Sequence, residues 1–228
     1  MTITRDNIWV VIPAFNEGQV IADVVAGVVA LGYRVVLVDD GSTDETGDFA
    51  AAAGADVVRH PINLGQGAGL QTGIAYALAR GADAIVTFDA DGQHRASEIA
   101  LLIETLEREN ADFVLGSRFK GAAVNLPPRR RLLLKAATVF TRLTTGLDVS
   151  DAHNGFRALS RRGAQAITLR QNRMAHASEI LHEIAQSGLR YVEAPVTIEY
   201  SAYSLAKGQK ISDSIVIMVD LFARRLHR

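Results

Sequence analysis

Through its first half the chain alternates short β-branched apolar runs with helix-length stretches, and few architectures accommodate that rhythm. Ile8–Ile12, Arg34–Val38, Asp56–Arg59, Ala84–Phe88 and Asp112–Leu115 read as strands. Between them Glu17–Leu31, Asp44–Ala53, Gly67–Arg80 and Ala96–Glu107 read as helices, the second with Ser42-Thr43-Asp44 as N-cap chemistry. Strand and helix alternating at this interval call for βαβ units and a mostly parallel sheet flanked by helices, an α/β class. Ligands of such sheets bind beyond the carboxyl ends of the strands. The acidic residues fall there: Asp39 and Asp40 end one strand, Asp89 and Asp91 another.

From Gly116 the rhythm changes. Pro127-Pro128 breaks the chain, and Arg129–Thr144 reads as a basic-headed helix. Asp151–Leu159 is a loop leading to a strand, Ala177–Gln186 a helix, and Tyr191–Tyr200 a strand interrupted at Pro195. The 228 residues fit one domain with a substantial core, and 48% hydrophobic with 21% charged residues is ordinary globular composition. A formal net charge of −1 offers no global field for nucleic acid, so any attraction to phosphate is local. Cysteine is absent, which excludes disulfides, thiolate catalysis and Cys-based zinc sites and suits a reducing cytoplasm. The start MTITRDNIWVVIPAFNEG lacks a positive n-region and does not read as a signal peptide. No stretch approaches the roughly 18 apolar residues of a spanning helix.

Three acidic clusters carry chemistry. Phe88-Asp89-Ala90-Asp91-Gly92-Gln93-His94 sets two carboxylates one residue apart after a strand, where they can hold a hard cation with diphosphate oxygens. Aspartates in that place are equally common turn-formers. Val38-Asp39-Asp40-Gly41-Ser42-Thr43-Asp44 offers acceptors for a base imide or ribose hydroxyl, or simply a strand-to-helix turn. Pro13-Ala14-Phe15-Asn16-Glu17 could frame a nucleoside or cap the next helix. Gly65-Gln66-Gly67-Ala68-Gly69 has the wrong spacing for a dinucleotide loop, and no GK[ST] phosphate loop is present.

VIPAFNE, VDDGSTDET, NLGQGAG, FDADGQH, GSRF and DAHNGFRAL, in this order, resemble the family 2 inverting glycosyltransferases of the GT-A fold. The likeness is to the dolichol- and polyprenyl-phosphate hexosyltransferase branch and covers residues 8 to about 210. It implies a GT-A catalytic domain over 1–210 with a Rossmann-like sheet, and a C-terminal amphipathic helix over 211–228. It implies nucleotide-sugar contacts at Pro13, Ala14, Phe15, Glu17, Asp39, Asp40, Asp89, Ala90 and Asp91. It further implies metal ligands at Asp89, Asp91 and Gln93 for Mg²⁺ or Mn²⁺. Arg118 resembles an arginine that meets the acceptor phosphate, and among Arg129, Arg130 and Arg131 alignment through the proline favours Arg130. Lys207 and Lys210 resemble a basic glycine loop that closes over the diphosphate, and an exposed loop is the alternative. Many relatives carry lysine where this chain has Gln66. Arg157 reads as structural, His94 as a supporting residue behind the carboxylates, Asp151 as fixing the loop before Gly155, and Glu179 as the one nominee for a base.

The function so implied moves a hexose or N-acetylhexosamine from a nucleotide-sugar, UDP- rather than GDP-linked, to polyprenyl phosphate in cell-envelope glycan assembly. A transferase to a saccharide hydroxyl in surface-polysaccharide biosynthesis is the alternative, and a binding protein that has kept the fold without turnover a third. Ser212–Arg228 places Ile215, Met218, Val219, Phe222 and Leu226 near one helical face with Arg224, Arg225 and Arg228 at its end. That is the pattern of an interfacial helix docking on membrane or on a small membrane-protein partner, or of an ordinary packing helix. The expected place is the cytoplasm, peripheral on the inner face of the cell membrane.

Overall fold

The computed structural model describes residues 3–170 and 176–207. Its centre is a seven-stranded sheet of β1 (Ile8–Ala14), β2 (Arg34–Asp39), β3 (Asp56–Arg59), β4 (Ala84–Thr87), β5 (Phe113–Val124), β6 (Arg157–Ser160) and β7 (Tyr191–Glu199), in the order β3-β2-β1-β4-β6-β5-β7. All neighbours pair in parallel except β6, which runs antiparallel to both β4 and β5. The helices are α1 (Ile21–Val29), α2 (Thr46–Ala52), α3 (Gln66–Ala79), α4 (Ile99–Arg108), α5 (Pro128–Thr145), α6 (Arg161–Ala166), α7 (His176–Ser187) and α8 (Ala202–Lys207).

Strand β1 explains the layering. All seven of its residues are buried, because alternate side chains enter two different cores. Ile8, Val10 and Ile12 pack with α1 and α4 through Val25, Val28, Leu102 and Leu106. Trp9 and Val11 pack on the opposite face with Leu70 and Ile74 of α3 and Ile180 and Ile184 of α7. Helix α3 approaches β1 and β2 closely because it presents glycines there. A Cβ on Gly69 would stand 2.9 Å from Pro13 Cβ, and one on Gly73 would run into Val11 Cγ1 with Val38 Cγ2 3.3 Å away.

Several boundaries differ from the sequence reading for physical reasons. The first helix starts at Ile21 rather than Glu17, whose carbonyl instead accepts the Val20 and Ile21 N–H groups while its side chain turns toward the strand ends. Ser42 and Thr43 do not cap the second helix. Ser42 Oγ accepts the Asn16 N–H at 2.9 Å and the Thr43 N–H donates to Asn16 Oδ1 at 2.8 Å, stitching the β1 loop to the β2 loop. Pro195 does not interrupt its strand: β7 is the edge strand, where a missing N–H is tolerated, and the irregularity falls on β5 between Ser117 and Ala122. Lys207 closes a helix, α8, rather than sitting in a loop. Lys210 and the expected helix over 211–228 lie outside the described residues. Among the described residues no helix is long and apolar enough to cross a membrane.

The α3 glycines give a stability test. Gly73→Ala is expected to cost about 1–3 kcal/mol through overpacking against Val11. Gly27→Ala on α1, where a Cβ meets nothing within 4 Å, is expected to gain about 0.5–1 kcal/mol from helix propensity alone. Urea unfolding midpoints compare the two, and equal shifts would show that α3 does not depend on glycine for its approach.

Candidate active site

A cleft of about 390 Å³ opens across the carboxyl ends of β1, β2 and β4 and continues over β5 and β7. The parallel half contributes Pro13, Phe15, Glu17, Asp40, Asn63, Gly65 and Gln66. The acidic turn after β4 contributes Asp89, Ala90, Asp91, Gln93 and His94, and the far side Arg118, Arg130, His153, Gly155 and Ile198. Seventeen residues spread from Pro13 to Ile198 thus meet, because the strands and loops that carry them converge on one edge of the sheet.

Asp89 is built into place from three sides. Gln66, the first residue of α3, donates its amide to Oδ1 at 3.1 Å, and His94 Nε2 stands 2.9 Å from Oδ2. His94 is itself buried in an aromatic slot, its ring 5.2 Å from Phe88 and 5.0 Å from Phe156. Gly155 leaves the space the carboxylate needs, since a Cβ there would fall on both oxygens and stand 2.7 Å from the carboxyl carbon. Arg157 is buried on β6, and desolvation pushes its guanidinium down to about 10 although Asp89 and Asp151 draw it back up. It stays protonated at neutral pH and so adds positive charge felt by Asp89 and Asp151.

Asp91 has a different environment. Burial, and then the charge of Asp89, hold its carboxyl up to about 6, well above the usual aspartate range. Gln93 turns both its backbone N–H and its side-chain amide onto Asp91. Two hard carboxylates that destabilise each other's charge in a cleft fit a divalent cation. Among the described residues no group of three His, Cys, Asp or Glu is poised as a metal cage.

The opposite wall is a relay of buried contacts. Arg118, 6% exposed at its side chain, meets Asp151, 1% exposed, with Nε to Oδ2 at 2.6 Å and its backbone N–H to the same oxygen at 3.0 Å. Arg118 Nη2 donates to the His153 carbonyl at 2.8 Å and Nη1 to the Tyr200 hydroxyl. Arg130 then stacks its guanidinium 5.1 Å above the Tyr200 ring. Of the three successive arginines, Arg130 alone lines the cleft, while Arg129 and Arg131 face outward as exposed side chains. Three of the five N–H groups of Arg118 are committed to protein, so two at most serve a ligand.

Other sequence expectations sort by where the backbone places them. Asp39 does not line the cleft: it is buried and accepts the Ser42 N–H at 3.0 Å beneath the turn. Asp40 reaches the cleft, but its oxygens accept the Leu64 N–H at 2.9 Å and the Gly65 N–H at 2.7 Å and meet His60 Nδ1 at 2.7 Å. It therefore fixes the loop that launches α3. Glu17 accepts the Tyr203 hydroxyl at 2.7 Å from α8, and burial together with that bond pushes the Tyr203 phenol above its ordinary range. Phe15 is 40% exposed at the cleft mouth, and Ala14, buried at the end of β1, stands behind it. Glu179 is not among the lining residues; it accepts the Arg170 N–H at 3.0 Å from α7. His60, Tyr200 and Tyr203 were missed by sequence reasoning. Tyr200 directly follows a strand, so the strand-end rule could have found it, whereas the 20-residue separation of His60 from Asp40 carries no local signal.

Comparison with known proteins identifies the family and the fold. The family model described as glycosyl transferase family 2 matches residues 9–168. The chain is 34% identical to an uncharacterised protein of Methanocaldococcus jannaschii over 98% of this chain and 94% of that one. It is 30% identical to the UDP-N-acetylglucosamine–dolichyl-phosphate N-acetylglucosaminyltransferase of Methanococcus voltae, over 90% of each chain. It is also 30% identical to the polyprenol monophosphomannose synthase of Mycolicibacterium smegmatis, over 87% of this chain and 79% of that one. Glucosyl-3-phosphoglycerate synthase from Mycobacterium tuberculosis, solved with Mg²⁺ and UDP, superposes with a TM-score of 0.73 at 22% identity, over 96% of this chain and 79% of that one. That likeness establishes the fold as GT-A and Rossmann-like.

The Arg118–Asp151 pair sets a stability expectation for the far wall. Asp151→Ala leaves a buried guanidinium without its counter-charge and is expected to destabilise the protein by about 3–5 kcal/mol. The double change Arg118→Met/Asp151→Ala should recover part of that loss. Denaturant titration reads both, and an additive double variant would mean that the pair is not coupled.

Proposed function

The chain belongs to glycosyl transferase family 2, and from that premise we propose that it moves a hexose or N-acetylhexosamine from a UDP-sugar to polyprenyl phosphate with inversion. The carrying observation is that one cleft sets the Asp89/Asp91 pair at the end of β4 opposite Arg130 at the start of α5. The parallel half then receives the nucleotide, with Pro13, Phe15 and Glu17 about the nucleoside and Asp40 holding the 60s loop that forms its floor. The uridine carrier and the lipid-phosphate acceptor are supported by what the Methanococcus relative is named for.

The reaction so proposed is one in-line displacement. An oxygen of the acceptor phosphate forms the new bond to the anomeric carbon while the bond from that carbon to the diphosphate oxygen breaks, and the electron pair leaves with the nucleoside diphosphate. Asp89, Asp91 and Gln93 are the residues that would hold Mg²⁺ or Mn²⁺, which when bound stabilises negative charge on the departing diphosphate. Gln66 and His94 keep Asp89 oriented, and Gln93 keeps Asp91 oriented. Arg130 holds the acceptor phosphate with its paired donors, and Arg118 adds positive charge while fixing the ring on which Arg130 rests.

A phosphate nucleophile is already an anion and needs no base, whereas a hydroxyl acceptor does. The carboxylates on the cleft are Glu17, Asp40, Asp89 and Asp91, and each is engaged: with Tyr203, with the 60s backbone, or in the acidic turn. That arrangement favours phosphate over a saccharide hydroxyl.

The test is incubation with radiolabelled nucleotide-sugars and a short polyprenyl phosphate, with and without metal. Label is expected in the lipid product from a UDP-sugar and to disappear with chelator. Asp91→Asn should keep the fold and lose about a hundredfold or more in turnover, the scale of removing a transition-state charge stabiliser. Arg130→Ala should raise KM for polyprenyl phosphate at least about tenfold while leaving KM for the nucleotide-sugar near its original value. Label entering a saccharide and never the lipid, or full turnover by Asp91→Asn, would sink the assignment.

A further inference from the structure

Helix α5 carries a surface the reaction does not use. Its 18 residues include Arg129, Arg130, Arg131, Lys135 and Arg142 and no acidic residue, in a chain whose net charge is −1. Ala137, Thr138 and Thr141 bury one face against the protein. On the opposite side Leu132 is 72% exposed, Val139 56% and Leu143 77%, and Ala136 is exposed between them. Successive residues of a helix turn by about 100°, so positions 132, 136, 139 and 143 fall within one narrow stripe. Exposed leucines taken singly need no explanation, but three large apolar side chains aligned on one face do.

The charges beside the stripe indicate what covers it. Arg142 is balanced, its Nη2 2.9 Å from Asp148 Oδ1 and its Nε donating to the Val149 carbonyl at 2.6 Å. Arg129, Arg131 and Lys135 are exposed, and none forms an ion pair among the described residues. They flank the stripe on both sides. An apolar strip edged by cations is complementary to a bilayer carrying anionic headgroups: the leucines enter the acyl boundary and the basic side chains stay at headgroup level. At 1.5 Å per residue the helix gives a footing about 27 Å long.

We propose that the outer face of α5 lies on an anionic lipid surface and turns the mouth of the cleft toward it. Arg130 leaves the same helix at its N-terminal end, on the inward side, where it lines the cleft. A phosphate whose hydrocarbon tail stays in the bilayer then reaches the cleft along the helix start, with no need for the tail to leave the membrane. The purpose of this docking rests on the lipid-phosphate reading above, but the docking itself does not require turnover.

Flotation of the full chain with phosphatidylglycerol–phosphatidylcholine vesicles, without nucleotide-sugar or acceptor, is the test. The unaltered protein should float with these vesicles and much less with pure phosphatidylcholine, and high salt should weaken the binding. Leu132→Gln/Leu143→Gln should lower the partition coefficient at least about tenfold, the loss expected when two leucines no longer leave water. Its thermal midpoint should not move. Arg129→Gln/Arg131→Gln/Lys135→Gln should abolish the preference for anionic vesicles. Undiminished flotation of the leucine variant would place lipid contact elsewhere in the chain and overturn the proposal. A lowered thermal midpoint would show the stripe packed within the protein, and a lipid-free dimer that the same substitutions dissociate would assign it to a second copy; either result overturns the proposal. Vesicle binding without sugar transfer to polyprenyl phosphate would instead count against the acceptor reading alone.

Discussion

Concentrated negative charge at the end of β4 is the constraint around which the rest of the structure is arranged. Asp89 and Asp91 stand one residue apart where burial already penalises an ionised carboxyl, and the rise of Asp91 to about 6 is the signature. The fold orients the pair without setting a full cation among the described residues in an ion pair with it. Gln66 supplies a neutral amide donor and His94 a ring nitrogen, while the buried full cation Arg157 interacts with Asp89 through its charge and forms no ion pair with it. A lysine at position 66 would neutralise Asp89 directly; glutamine orients it and leaves its charge for a ligand. The demands of this turn propagate outward. His94 needs its slot between Phe88 and Phe156, Asp89 needs a glycine at 155, and the Glu199 N–H donates to the Gln93 carbonyl at 3.0 Å, tying β7 to the turn.

The antiparallel strand β6 divides the molecule into two functional halves. On one side β3, β2, β1 and β4 form a parallel sheet whose strand ends carry Pro13, Phe15, Glu17 and the acidic residues of the cleft. On the other, β5 and β7 carry Arg118 and Tyr200 and support α5. Reversal of β6 brings the loop that precedes it, with Asp151, His153 and Gly155, back over the same edge of the sheet. A purely parallel continuation would have sent that loop to the far end of the strands. The two halves therefore meet through Gly155 against Asp89 and Asp151 against Arg118.

Most of the first half was legible from periodicity, because a doubly buried parallel strand such as β1 is an unbroken apolar run set off from the helical stretches around it. Asp89 and Asp91 were legible from position, since they follow a strand, whereas Gln93 and the choice of Arg130 among three arginines rested on the family resemblance. What the sequence hid are pairings across distance. Nothing local distinguishes Asp39, which ends under a turn, from Asp40, which faces the cleft, since adjacent residues leave a strand on opposite sides. Ser42 and Thr43 look like helix caps by composition, but a 26-residue jump to Asn16 competes for Ser42. Pro195 read as a break because the edge position of β7 is a property of the assembled sheet, not of the segment.

The run Arg129-Arg130-Arg131 shows how a single local pattern is divided by tertiary placement. Three successive residues at the head of a helix point about 100° apart, so they cannot serve one ligand together. Pro127 at the cap and Pro128 at the first helical position fix where the helix begins, and with it which arginine points where. Arg130 is seven residues from Ala137 and eleven from Thr141, both buried, so it must point to the inner face, where Tyr200 receives it. Its neighbours are carried outward beside Leu132. Moving the helix start by a single residue would turn a different arginine inward and swing Leu132 away from solvent. The two prolines thereby hold both surfaces in register, the Arg130 guanidinium on the cleft and an apolar basic-edged face behind it, and neither can be shifted without the other.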